Sequence, residues 1–153
     1  MGLSADDLEM AARLLAALAA GSVIGYERSF HGRPAGFRTH ALVCLASSVL
    51  MLVTVYEAHW MREAAGRVQI DPTRMAQGIL TGIGFLGAGV ILREGLSIRG
   101  LTTAAGIWMT AAIGVAVGLG HLGTAAIGAL FTWTVLAVVL KVEQRIEGSD
   151  NLG

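Results

Sequence analysis

Charge is scarce in this chain, and cysteine and proline are scarcer still. Of 153 residues, 14% are Asp, Glu, Lys or Arg, against about 25% in ordinary soluble domains. Lys and Arg number 11, Asp and Glu also 11, and the formal net charge is zero. A basic nucleic-acid binder and a self-repelling disordered chain are therefore excluded. A single cysteine, Cys44, excludes a disulfide scaffold. His31, His40, His59 and His121 are scattered without metal-ligand spacing, so each is expected at an interface rather than on a metal. There is no HExxH, GxSxG or P-loop, and no nucleophile–base pair stands out, so the chain does not read as an enzyme. The start, Met1-Gly2-Leu3-Ser4-Ala5-Asp6-Asp7, is acidic where a secretory signal would be basic. Ser4 and Asp7 instead form the pattern of a capping box that opens a helix.

Apolar residues and glycine fill the space that charge leaves. The AVILMFWYC set makes up 54% of the chain, with 21 glycines besides, and mean hydropathy is +0.65. A membrane span takes about 20 apolar residues, so five spans use about 100 and leave room only for turns and tails. The charges mark out such stretches at residues 8–26, 41–60, 75–92, 101–120 and 122–140, followed by a polar tail over 141–153. The expected fold is a single all-α transmembrane domain of about five helices. Glu9 and Arg13, four apart, can pair and snorkel to the interface. Gly120-His121-Leu122-Gly123 is the only break between the last two stretches, so these should form a tight antiparallel hairpin.

Basic residues set the expected orientation. Arg28, Arg33, Arg38, Arg93, Arg99, Lys141 and Arg145 share one side, and Arg62, Arg67 and Arg74 the other. That asymmetry places the amino terminus outside and the carboxyl terminus in the cytoplasm. Small residues recur at helical spacing: Gly21 and Gly25, Gly78 and Gly82, and the stripe Gly106, Thr110, Gly114 and Gly118. Membrane helices associate through close backbone approach, so these positions serve helix packing, either within one bundle or across a homodimer seam on span four or five. Gly84 and Gly87 extend the set within Gly82–Gly89, a stretch dense enough in glycine to be a broken helix or a place of close approach.

A few polar residues can carry chemistry. Asp71-Pro72 is a strong helix start, with Asp71 as N-cap and also as a carboxylate at a cavity mouth. Arg74, Gln77 and Thr81 continue along one face, and polar groups at membrane depth must face protein or water. Arg38, Thr39 and His40 open span two; Arg99, Thr102 and Thr103 open span four. Arginine at a helix N-terminus calls for an anion, whether Glu27, Glu94, a lipid phosphate, a substrate or an acidic partner.

The run Asp71-Pro72-Thr73-Arg74-Met75-Ala76-Gln77-Gly78-Ile79-Leu80-Thr81-Gly82-Ile83-Gly84-Phe85-Leu86-Gly87-Ala88-Gly89 resembles the central signature of the MgtC/SapB family. Its continuation through Arg93-Glu94-Gly95 and Arg99-Gly100-Leu101-Thr102-Thr103 does as well. Glu27-Arg28 and Ala35-Gly36-Phe37-Arg38-Thr39-His40 resemble the family's first cytoplasmic connection. The resemblance implies a bacterial inner-membrane protein of about five spans, tied to growth in low magnesium and, in pathogens, to survival in host cells. The family's namesake implies a regulator of another membrane protein, an F-type ATP synthase, rather than an established magnesium transporter. The alternative is a transporter or ion-permeation protein with a polar pocket lined by spans two to four. Residue by residue, the resemblance carries Glu27, Arg28, Arg38, Thr39, Asp71, Arg74, Gln77, Arg99, Thr102 and Thr103 as the shared polar set. Many members bear a soluble carboxyl-terminal domain, and the present sequence matches the membrane part alone. No cofactor is called for, and Mg²⁺ binding is left open. The expected partners are the bilayer, a second copy and another membrane protein, with no nucleic acid.

Overall fold

A computed structural model describes residues 4–65 and 71–139, with only the backbone over 58–65 and at 94. Arg67, Lys141, Arg145 and the rest of the tail lie outside the described residues. The described residues form a bundle of five α-helices: α1 (Ala5–Phe30), α2 (Phe37–Ala65), α3 (Pro72–Gly89), α4 (Leu101–Gly118) and α5 (Leu122–Thr134). A π-helical turn, Val135–Val139, prolongs α5. By length and composition, α1, α2 over Phe37–Glu57, α4 and the run Leu122–Val139 can each cross a membrane. The helix α3 has 18 residues, as many as α4. It is not among those apolar helices, because Arg74, Gln77 and its glycines dilute it.

Local signals explain the helix ends. Ser4 Oγ accepts from Asp7 N–H at 3.1 Å and the Asp7 carboxylate accepts from Ser4 N–H at 2.8 Å, the expected capping box. Asp71 Oδ1 accepts from Thr73 N–H at 2.9 Å, with Pro72 at the first helical position. Arg13 pairs with Glu9 as expected. It also reaches across to the end of α4, where its Nη1 donates to the Gly118 carbonyl at 3.1 Å. A cation at the end of α4 meets the negative pole of that helix. The α4–α5 turn is as tight as expected and passes through Gly120 at φ 87, a conformation open to glycine without steric cost.

One connection departs from expectation. The stretch expected to be helical to residue 92 stops at Gly89. Strands β1 (Leu92–Glu94) and β2 (Ser97–Arg99) then pair antiparallel, with Leu92 opposite Arg99 and Glu94 opposite Ser97. Gly95, at φ 62, opens the two-residue loop, the geometry a primed hairpin turn requires. Arg93 Nε donates to the Gly95 carbonyl at 3.1 Å and braces the turn.

Two helices, α2 and α4, run parallel through the middle of the bundle, with α1 packed against both. On α2 the buried residues His40, Val43, Cys44, Ser47, Ser48 and Met51 form one stripe at helical spacing. Gly114 and Gly118 of α4 lie directly on it. A Cβ at Gly114 would fall onto the Cys44 carbonyl and within 2.8 Å of Ser47 Cβ. One at Gly118 would lie 2.9 Å from the Ser48 carbonyl. Gly21 of α1 meets the same helix, where an added Cβ would lie 2.8 Å from Cys44 Cβ. The span-four stripe is therefore turned inward, onto α2, and is not free to form a homodimer seam.

Candidate functional site

Four ionisable or hydroxylic side chains are sealed at one end of the bundle. Glu27 and Arg28 in the last turn of α1 are 4% and 2% exposed, His40 of α2 is 0% exposed and Thr103 of α4 is 3% exposed. Gly21, Gly25 and Arg28 share one face of α1, so the close approach that the glycines permit also carries the guanidinium inside. Arg28 Nη2 donates to Thr103 Oγ1 at 3.3 Å, and Arg28 Nη1 stands 3.7 Å from Glu27 Oε2. His31 Nδ1 lies 3.0 Å from Glu27 Oε1 and also 3.0 Å from the Glu27 carbonyl, and its hydrogen-bonding geometry selects the carbonyl.

The cluster is under-satisfied. Both Glu27 carboxylate oxygens, Arg28 Nε, His40 Nε2 and Ser48 Oγ are buried without a hydrogen-bond partner. His40 Nδ1 contacts the Gly36 carbonyl at 3.0 Å. A carbonyl can only accept, so the hydrogen sits on Nδ1, and Nε2 of the neutral ring is left as an acceptor. Gly106 leaves the space in front of that nitrogen, since a Cβ there would lie 3.5 Å from it. Buried polar groups cost free energy when unpaired, and orphaned atoms of this kind mark positions for water or an ion. Among the described residues no three His, Cys, Asp or Glu side chains gather as a metal site would require.

Above this cluster the surface is rich in arginine. A cleft of about 420 Å³ is lined by Arg33, Pro34, Arg99, Gly100 and Thr103. A neighbouring cleft of about 520 Å³ shares Arg33 and Pro34 and includes Ser29, Arg38 and Thr39. Helix α4 begins at this floor. Its N-cap is Gly100, at φ 88, where a Cβ would run into the Val90 carbonyl, and no side chain caps it.

The other sequence-selected residues lie elsewhere. Asp71 and Arg74 stand at the opposite end of the bundle from Arg38 and Arg99, so the four do not converge on one cavity. The Thr73 hydroxyl, donating at 2.7 Å, and the Thr73 amide hold the Asp71 carboxyl below its usual range, and Arg74 adds to the effect. Arg74, Gln77 and Thr81 are all exposed on α3. Among the described residues Gly78, Gly82 and Gly84 have nothing within 4 Å of a Cβ position, so none of these meets them as a packing contact. The reason is that α3 leans on α4 through its other face, where Ile79, Ile83 and Gly87 are buried. Gly87 alone of that set meets a neighbour, with Ala104 Cβ at 3.7 Å. Between α2 and α3 runs an apolar groove of about 500 Å³, lined by Leu42, Ser47, Leu50, Met75, Gly78 and Gly82 among others. Its lining is mainly apolar, Ser47 being the one polar side chain in it.

Thus the structure brings together Glu27, Arg28 and Thr103, rings them at the surface with Arg38, Thr39 and Arg99, turns Thr102 into an apolar cleft between α4 and α5, and leaves Asp71, Arg74, Gln77 and Thr81 apart. Sequence reasoning passed over His40, expected at an interface and found fully buried, and gave Arg33 only a place in the charge count. The signal for His40 was its register: it heads the α2 stripe that continues through Cys44, Ser47, Ser48 and Met51.

Helices long and apolar enough to cross a membrane, exposed apolar side chains such as Phe85 and Phe131 at 83% and 65% exposure, and ionisable groups sealed inside define a multi-pass membrane protein. The MgtC family matches residues 14–145, and the chain belongs to it. It is 42% identical over 133 residues to the Escherichia coli (strain K12) protein named "Putative magnesium transporter YhiD", covering 87% of this chain and 61% of that one. It is 39% identical over 137 residues to "Protein MgtC" of Brucella abortus (strain 2308), covering 90% and 54%. To "Protein MgtC" of Salmonella typhimurium (strain 14028s / SGSC 2262) it is 41% identical over 133 residues, covering 87% and 53%. The chain thus spans little more than half the length of these relatives. No solved structure matches it.

Proposed function

We propose that this chain is an inner-membrane protein of magnesium homeostasis that acts by docking a helix of another membrane protein onto α3. The observation that carries this reading is the outward face of α3. Gln77 and Thr81 are exposed there beside Gly78 and Gly82, where an added Cβ would meet nothing within 4 Å among the described residues. Polar groups at membrane depth are costly until paired, and a small-xxx-small pattern lets a second backbone approach. The adjoining α2–α3 groove supplies apolar surface for the same helix. The family resemblance suggests an F-type ATP synthase as the kind of partner, and low-magnesium adaptation as the setting. The arginine count suggests that the Glu27–Arg28 end faces the cytoplasm. The test is growth in low-magnesium medium of cells that depend on this chain. Gly82→Leu should abolish support of growth while the protein stays at normal level in the membrane. Undiminished growth would refute docking on α3.

A second reading is ion permeation, and one observation favours it: the buried Glu27–Arg28–His40 cluster has more orphaned acceptors than donors. The magnesium-transporter name carried by the YhiD relative points the same way. Purified protein in liposomes should then move Mg²⁺ down a gradient, and Glu27→Gln should slow it. Absence of flux under any gradient would remove this reading.

A further inference from the structure

We propose that the β1–β2 hairpin is a membrane-interface anchor that seats Leu96 among the headgroups of the bilayer around α4. The inference is independent of docking on α3.

The hairpin is apolar where a hairpin surrounded by water would be polar. Leu96 stands at its tip, next to Gly95, and is 99% exposed. Leu92 on β1 and Ile98 on β2 are exposed as well. Among the described residues the two strands pair only with each other. A lone exposed leucine is ordinary. A leucine exposed in full at a tip, with Leu92 and Ile98 exposed behind it, forms a patch that fits an apolar partner.

Position in the fold selects the bilayer as that partner. Helix α4 is long and apolar enough to cross a membrane over its whole length, Leu101–Gly118. Its 18 residues rise about 27 Å, close to the hydrocarbon thickness of about 30 Å. Leu101 therefore stands at the membrane boundary, and the hairpin ends just before it, at Arg99. Strands of three residues span about 10 Å, so the tip stays within reach of the headgroup layer. The exposed apolar surface also continues across the boundary: Leu86 near the end of α3, Ile91 and Leu92 at the base of β1, and Leu101 at the start of α4 are all exposed. A hairpin that leans onto the lipid extends this surface. Its base is held firmly, because Gly100 sits so close to the Val90 carbonyl that a Cβ would run into it.

Charge sets the depth and the kind of headgroup. Arg93 is exposed, and its Nε donates to the Gly95 carbonyl at 3.1 Å, which fixes the guanidinium beside the tip. A cation next to an exposed leucine matches a bilayer surface, where anionic phosphate lies over the acyl boundary. Glu94 follows Arg93 in the sequence, and a carboxylate is costly in hydrocarbon. The seating is therefore shallow, about 5–10 Å into the headgroup–acyl boundary.

The experiment reads the surroundings of Ser97, an exposed neighbour of Leu96. A nitrobenzoxadiazole label is attached to Ser97→Cys in a chain that also carries Cys44→Ala, and circular dichroism checks that each variant folds. The full chain is placed in phosphatidylglycerol vesicles, with phosphatidylcholine vesicles for comparison. The quenchers are iodide in the water and lipid spin-labelled near its headgroup. The label should be quenched by the spin-labelled lipid and shielded from iodide. Leu96→Gln should lower the ratio of seated to free hairpin about tenfold or more, read as new access to iodide. Arg93→Gln should loosen the seating in phosphatidylglycerol more than in phosphatidylcholine, and equal effects in the two lipids would remove the arginine from the anchor. Free access of iodide to the unaltered hairpin overturns the proposal, and so does a Leu96→Gln chain that behaves as the unaltered one. A label that neither quencher reaches overturns it as well, since a second copy of the chain would then cover the tip.

Discussion

Two glycines with the same sequence signature should respond oppositely to one methyl group. Gly114 pairs with Gly118 at a four-residue spacing on α4, and Gly78 with Gly82 on α3. At Gly114 the added Cβ meets the Cys44 carbonyl, Ser47 Cβ at 2.8 Å and the Cys44 carbonyl carbon at 3.1 Å. Two of those atoms are backbone, so relief requires α2 and α4 to move apart. Overpacking of this kind costs about 1–3 kcal/mol, and a rigid backbone obstacle places it in the upper half of that range. Alanine recovers about 1 kcal/mol through helix propensity. Gly114→Ala should thus destabilise the bundle by about 1–2 kcal/mol. At Gly78 nothing lies within 4 Å, so Gly78→Ala keeps only the propensity gain. The assay is reversible unfolding of each purified variant in mixed micelles, followed by circular dichroism at 222 nm (about the helix minimum). Equal destabilisation by the two substitutions would refute the reasoning. So would a Gly114→Ala protein as stable as the unaltered chain, because α2 and α4 could not then be in the contact described.

Two further perturbations test the ends of the bundle. Asp71→Ala should loosen the start of α3 as its N-cap is lost, seen as faster hydrogen exchange in its first turn. Thr73 holds the Asp71 carboxyl below its unfolded value. The cap is therefore at full strength above about pH 3.9 and is lost as pH falls through the lower folded value; Asp71→Asn, still a cap, should abolish that acid dependence. At the other end, Arg28→Met alone strands the buried Glu27 carboxylate and should cost about 3–5 kcal/mol. The double change Glu27→Gln/Arg28→Met should recover most of the loss in the same unfolding assay; no recovery would mean that the two groups are not energetically coupled.

The elements that could be read from the sequence were those whose physics is local. Apolar runs separated by charge give the helices, Ser4–Asp7 and Asp71–Pro72 give two of their starts, and the Gly120 break gives the α4–α5 turn. What could not be read depends on which neighbour a face meets. Gly78/Gly82 and Gly114/Gly118 look alike in the chain, yet α4 is central and α3 peripheral, so one pair is buried and the other open. His40 looked interfacial because it follows Arg38 and Thr39. Its burial becomes legible only when Val43, Cys44, Ser47 and Ser48 are seen as the same stripe. The β1–β2 hairpin was hidden because its strands are three residues each, too short for alternation to register. Of the candidate site, Glu27, Arg28 and Thr103 were identified by residue type, but their meeting required α1 and α4 to touch beside α2, which no local pattern encodes.

The docking claim is tested most directly by placing a photoreactive side chain at Gln77, at Thr81 and, for comparison, at the exposed α5 residue Phe131, and irradiating native membranes. The account predicts one discrete adduct from positions 77 and 81, distinct in mass from a pair of these chains, and only lipid adducts from position 131. The same pattern from all three positions, or adducts at 77 and 81 that contain only lipid or a second copy of this chain, would contradict it.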